Sequence, residues 1–160
     1  TPPTGTTVYP ERLRTTWSHT VSKDLIHWEE LETALYPGEG TDPDADGVWT
    51  GSVIYGEGKY HIFYTGYNYH IDSQQTICHA VSNDGIHWIK DVGNPVIKPI
   101  PELYETLDWR DPYVFYNEDD DCYWILISGR LKEGPPTKNR MYCSLSFSGF
   151  ENMGALRPNL

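Results

Sequence analysis

Arg110-Asp111-Pro112 stands directly before an apolar run, Tyr113 to Tyr116. A guanidinium beside a carboxylate favours the charged acid. Such a carboxylate can accept hydrogen bonds from sugar hydroxyls and oppose positive charge developing on a sugar ring. The same two residues also suit an ordinary ion pair capping a strand, and the tripeptide alone favours that plainer reading. Val48-Trp49-Thr50-Gly51-Ser52 is the second group of interest. Trp49 could stack on a sugar and Thr50 could hydrogen-bond it, while core packing of Trp49 is the plainer alternative. Gly51 within a strand points to the close approach of a ligand or of another backbone.

Other polar groupings carry less. Asp42-Pro-Asp44-Ala-Asp46-Gly47 matches the start of a calcium loop. Its twelfth position is Val53 rather than a bidentate Glu, and Pro43 suits the loop poorly, so no metal site is expected. The six histidines form no H-E-x-x-H or similar set. Cys78, Cys122 and Cys143 show neither metal-type spacing nor a disulfide framework, and read as small buried hydrophobes. No cofactor is implied. A net charge of −11 argues against nucleic acid as a partner, because phosphate recognition wants Lys and Arg. No apolar run reaches the length of a membrane span, so no membrane partner is expected either.

The elements that hold these residues follow from a repeat. His19-Thr-Val-Ser-Lys-Asp-Leu-Ile-His-Trp28 and His79-Ala-Val-Ser-Asn-Asp-Gly-Ile-His-Trp88 agree at seven of ten positions and lie sixty residues apart. Each reads as a strand, a tight turn built by Ser and Asp, and a second strand. Trp28 and Trp88 are expected to pack back on the preceding strand. Trp49 to Tyr55 and Tyr60 to Tyr67 read as strands joined by a hairpin at Gly56-Glu-Gly58. Tyr113 to Tyr116 and Tyr123 to Ile127 repeat that arrangement around Asn117 to Asp121. One unit therefore holds about four short strands, and radial repetition of such units makes a propeller. Trp and Tyr, numbering 6 and 12, dominate the aromatics and suit pleated sheets.

The fold class is all-β: about two and a half blades of four-stranded antiparallel sheets. Residues 17–30 finish one blade, 47–90 make a second, and 110–147 make a third within a single 1–160 domain. Pro37 to Asp46 and Val92 to Leu107 read as long surface loops. The third blade's C-terminal end is aberrant. Cys143 to Asn152 lacks the Asp and Trp of the repeated turn, through divergence or a shift of reading frame over Gly149 to Ala155.

Taken together, these segments resemble glycoside hydrolase family 32, the invertases, inulinases and levanases. The resemblance runs from Trp17 to about Arg130. It rests on Trp17-Ser-His-Thr-Val-Ser-Lys-Asp-Leu-Ile-His-Trp28, close to the family's W-G-H-A-x-S-x-D-L-x-x-W, and on Ala34-Leu-Tyr-Pro37. Gly47-Val-Trp-Thr-Gly-Ser52, Phe63-Tyr-Thr-Gly66 and Asn94-Pro-Val-Ile97 follow in order, and Arg110-Asp111-Pro112 is the family's R-D-P motif.

That resemblance implies a partial five-bladed propeller with its site at one end of the channel. It implies retaining hydrolysis of β-fructosides such as sucrose or fructans by two carboxylates. Asp111 would stabilise the oxocarbenium-like transition state, Arg110 would orient it, and Trp49 and Thr50 would line the fructose pocket. These four are expected together at one end of the channel, with the Asp111 carboxylate directed into it. The family's nucleophile motif, W-M-N-D-P-N-G, is not found before Trp17, and no Glu-Cys acid/base pair occurs anywhere. The chain is therefore expected to be a fragment, inactive alone. A non-catalytic sugar-binding protein on a decayed propeller is the rival reading. A propeller relative acting on arabinosides or mannosides is a third, disfavoured by the R-D-P motif in its context.

Overall fold

The computed structural model describes residues 14–133, 140–150 and 157–159. Among them there is no α-helix, and every strand pairing is antiparallel. β1 (Trp17–Ser22) and β2 (Trp28–Leu35) form a two-stranded sheet. β3 (Gly47–Gly56), β4 (Lys59–Tyr67), β5 (Gln75–Ser82) and β6 (Ile89–Lys90) form a four-stranded sheet in sequence order. β7 (Tyr104–Asn117), β8 (Cys122–Leu131), β9 (Arg140–Phe147) and β10 (Arg157–Asn159) form another, again with sequence neighbours adjacent. These consecutive up-and-down sheets form part of a five-bladed propeller.

Local chemistry explains the connections. Glu57 and Gly58 both have positive φ, 52° and 80°, and join β3 to β4 with Gly56 opposite Lys59. Two left-handed residues match the right-handed twist of a tight hairpin. At the β1–β2 turn the Ser22 hydroxyl accepts the Asp24 and Leu25 N–H groups at 3.2 and 2.8 Å. Asp24 Oδ1 accepts the Ile26 and His27 N–H groups at 2.9 and 2.8 Å, and its Oδ2 meets His27 Nδ1 at 2.7 Å. Ser82, Asp84, Gly85, Ile86 and His87 reproduce each of these bonds between β5 and β6.

The middle sheet lies between two cores, and β4 shows why. His61 to Tyr67 are all buried. Ile62 and Tyr64 join Leu35, Val48, Cys78 and Ala80, with Trp17 and Trp88 packed against them. Phe63 joins Ile77, Trp109, Ile125, Ile127 and Phe147 on the opposite face. Successive strand residues point to opposite faces, so a strand buried on both sides reads as one continuous apolar run.

Several expectations need correction. Trp28 is 57% exposed, because β2 is the last strand of its sheet and leaves that ring uncovered. Residues 37–46 do not form a plain surface loop. Asp44 is buried, accepting hydrogen bonds from the Tyr64 hydroxyl at 2.8 Å and the Gly38 N–H at 3.2 Å and pairing with Lys90 at 2.5 Å. Burial, with Cys78 and Asp44 close by, holds the Tyr64 hydroxyl above the usual phenol range, so it remains a donor. Asp42 and Asp46 accept from the separate N–H groups of Glu39 and Tyr69, so the three carboxylates of the calcium-like run serve the protein's own backbone and side chains. The 92–107 segment is also anchored: Ile97 is buried and bridges Ile77, and β7 begins at Tyr104 rather than Arg110. Cys78 is buried and Cys122 half-buried. The Cys143 side chain and residues 151–156, where the aberrant turn was expected to finish, lie outside the described residues.

Candidate active site

Two strands carry the site, β3 near its start and β7 in its middle, and both are irregular there. On β3 the ladder to β4 breaks between Val48 and Gly51, leaving Trp49 and Thr50 outside it. On β7 the ladder to β8 breaks between Arg110 and Tyr113, leaving Asp111 and Pro112 outside it. Bulges of this kind re-aim side chains at the ends of strands. Gly51 permits the first: a Cβ there would lie 1.9 Å from the Phe63 carbonyl oxygen. The close approach anticipated at Gly51 is thus to backbone. Asp111 marks the second with a φ of 57°, a left-handed conformation uncommon for any residue but Gly.

The breaks face one another across the join between the two four-stranded sheets. The Thr50 hydroxyl donates a hydrogen bond to Asp111 Oδ1. The Asp111 N–H donates to Thr65 Oγ1 at 2.9 Å, and the Val114 N–H donates to the Ser52 hydroxyl at 2.9 Å. Asp111, Thr50, Trp49 and Arg110 consequently line one open cleft of about 590 Å³, within the range of small-ligand sites. The Asp111 carboxyl is about half exposed there (49%), and it is the one carboxylate among the described lining residues. Trp49 stacks on Tyr67 with ring centres 4.5 Å apart, so one indole face is covered by protein.

Arg110 has more partners than the tripeptide disclosed. Its guanidinium lies 2.7 Å from Asp108 and 3.8 Å from Asp111. It also donates to Gln75 Oε1 at 2.8 Å and to the Leu107 carbonyl at 3.2 Å. The cation is therefore fixed from behind and faces Asp111 at longer range. Trp17 also lines the cleft, and its Nε1–H donates to the Trp49 carbonyl at 2.7 Å. Thr65, Gln75, Asp108 and Trp17 were not assigned to the site from sequence. A signal existed for the first two, since a polar residue within a buried strand must find a hydrogen-bond partner.

The whole-chain comparison decides the family. Residues 7–159 match the model of the glycosyl hydrolases family 32 N-terminal domain. The chain belongs to glycosyl hydrolase family 32. An acid β-fructofuranosidase of Solanum lycopersicum is 34% identical over 140 residues, which are 85% of this chain and 21% of that protein. Fructan 1-exohydrolase IIa of Cichorium intybus, solved in complex with 1-kestose, superposes with a TM-score of 0.72 at 24% identity, covering 89% of this chain and 25% of that one. A mutant family 32 β-fructofuranosidase of Bombyx mori, solved in complex with sucrose, superposes with a TM-score of 0.67 at 25% identity, covering 87% and 27%. The chain spans about a fifth of the length of the curated family 32 relatives it matches.

Proposed function

We propose that these residues form part of a retaining glycoside hydrolase acting on terminal β-fructofuranosides, sucrose or fructans, and that they supply its transition-state stabiliser. The observation that carries this reading is the meeting of Asp111, Thr50, Trp49 and Arg110 in one cleft. When the bond to the leaving oxygen breaks, positive charge develops on the fructosyl ring. Asp111 opposes that charge with a carboxylate already oriented by Thr50, which needs no reorganisation during reaction. Trp49 offers the apolar face for the ring, and Arg110 contributes a fixed cation behind the acid.

Retaining hydrolysis uses two carboxylates roughly 5 Å apart, one as nucleophile and one as acid/base. The cleft holds Asp111 alone among its described lining residues, and the sequence contains neither the nucleophile motif nor a Glu-Cys pair. The 160-residue chain by itself is therefore expected to release no fructose from sucrose. Fructose release by the purified chain tests this directly. Turnover comparable to a whole invertase, abolished by Asp111→Ala, would overturn it. The hydrolase reading is tested by sequencing the flanking genomic DNA and reading all frames. Intact nucleophile and acid/base motifs around this segment support it, and their loss favours a sugar-binding protein.

A further inference from the structure

Phe63-Tyr-Thr-Gly66 belongs to the family pattern but has no part in the reading above. Its threonine lies directly behind the site. Thr65 is fully buried on β4. Its hydroxyl accepts the Asp111 N–H at 2.9 Å and donates to the Thr50 carbonyl at 3.1 Å. Both backbone groups belong to residues that the two ladder breaks leave without a strand partner. A hydroxyl has one proton and two lone pairs, so a single Thr can serve one orphaned donor and one orphaned acceptor at once. The Thr50 hydroxyl then closes a circuit by donating to Asp111 Oδ1. Three hydrogen bonds tie β3, β4 and β7, two of them through the buried Thr65 hydroxyl.

We propose that Thr65 is the positioning residue for Asp111, holding it in its left-handed conformation so that the carboxylate enters the cleft. The assignment rests on reading Asp111 as the site's functional acid. The conformation itself needs a restraint. A non-glycine residue at φ 57° is strained, and the residue before a proline is further restricted. Such a state persists only where surrounding contacts over-determine it. On the C-terminal side Pro112 is fully buried, and on the carboxyl side Thr50 binds Oδ1. On the N–H side the restraint is Thr65 alone among the described contacts of that group. Valine has the shape of threonine without the hydroxyl, so Thr65→Val takes from the Asp111 N–H and the Thr50 carbonyl the partner that Thr65 supplies. The relief open to the chain is for Asp111 to leave its turn and carry the carboxylate out of the cleft.

The test is hydrogen–deuterium exchange of the full 160-residue chain, which needs no catalytic activity. Peptides spanning 109–112 are compared with β4 and β8 peptides in the parent, Thr65→Val and Thr65→Ser. Thr65→Val should speed exchange at 109–112 by about ten-fold, as loss of one local hydrogen bond implies, with β4 and β8 unchanged. Thr65→Ser keeps the hydroxyl and should restore protection. Thr76→Val, at a buried threonine outside the circuit, should leave 109–112 as it was. Unchanged exchange at 109–112 in Thr65→Val overturns the proposal, as does loss of protection in Thr65→Ser. Loss spread through β4 and β8 would make Thr65 a general packing residue and overturns it too. Failure of the hydrolase reading shows separately, as absent catalytic motifs in the flanking DNA alongside an intact exchange result.

Discussion

The two Ser-Asp turns and the cleft are built from the same kinds of bond, but on opposite length scales. In the turns at Ser22–His27 and Ser82–His87, every hydrogen bond joins residues two or three apart. In the cleft, Thr65 reaches Thr50 across 15 residues, Arg110 reaches Gln75 across 35, and Thr50 reaches Asp111 across 61. The first turn is exposed, the second is partly buried at Ser82, and they repeat nearly unchanged in two sheets. The Thr65 and Gln75 bonds are partly buried, the Thr50–Asp111 bond is exposed, and most of the cleft bonds join different sheets. A local network needs only its own few residues in order. A non-local one needs two sheets docked in register, so its disruption spreads further.

That contrast predicts where substitution hurts most. Gly51→Ala places a methyl group against the Phe63 carbonyl, where nothing can yield cheaply, and is expected to cost about 3 kcal/mol by urea denaturation. A loss under about 0.5 kcal/mol would show that the β3 bulge shifts freely and that the cleft is no more constrained than the turns.

The histidines sharpen the comparison, because the buried pair His61 and His79 and the exposed His87 respond to pH with opposite sign. His61 and His79 face each other at 3.0 Å inside the middle sheet, and His79 also meets Asp91 at 3.1 Å. Burial, then the neighbouring His79, pushes His61 down to about 4, and burial lowers His79 as well, against the pull of Asp91. The unfolded chain therefore binds more protons as pH falls below the ordinary histidine value of about 6.5, and stability is lost progressively toward about 4. The expected loss is on the order of 1 kcal/mol. His87 behaves oppositely. Its bond to Asp84 raises it, so its contribution is present below the unfolded value and disappears as pH rises through the folded one. Urea midpoints between pH 7 and 4 check both signs. The downward slope should flatten in His61→Gln and persist in His87→Gln.

Asp84→Ala removes two backbone caps and the His87 contact, and should lower the urea midpoint, with Asp24→Ala lowering it by the same amount within error. Clearly unequal costs would mean that the two turns differ in tertiary surroundings after all. The smallest effect separates them by one residue. Leu25 and Gly85 occupy the same place with φ of 62° and 74°. Glycine adopts that conformation without penalty and leucine does not, so Leu25→Gly should stabilise by roughly 0.5 kcal/mol, read as a small rise in melting temperature. A fall would locate a packing role for the exposed Leu25 side chain.

The sequence by itself determined the repeat, the all-β class, the Glu57-Gly58 hairpin and the chemistry of both Ser-Asp turns. These depend on residue type and short spacing, since a hydroxyl and a carboxylate two residues apart cap the same turn wherever it lies. It also supplied Trp49, Thr50, Arg110 and Asp111 as candidates, because each sits in a motif readable along the chain. Only the tertiary structure decided that the β3 and β7 bulges face one another, that Arg110 lies nearer to Asp108 than to Asp111, and that Thr65 and Gln75 stand behind the site. It likewise buried Asp44 within a segment that reads as surface loop, and left Trp28 uncovered. The physical reason is the same in each case. A side chain's partner across 15 to 61 residues is fixed by how sheets dock, and docking follows from the summed burial of many apolar residues rather than from any one short motif.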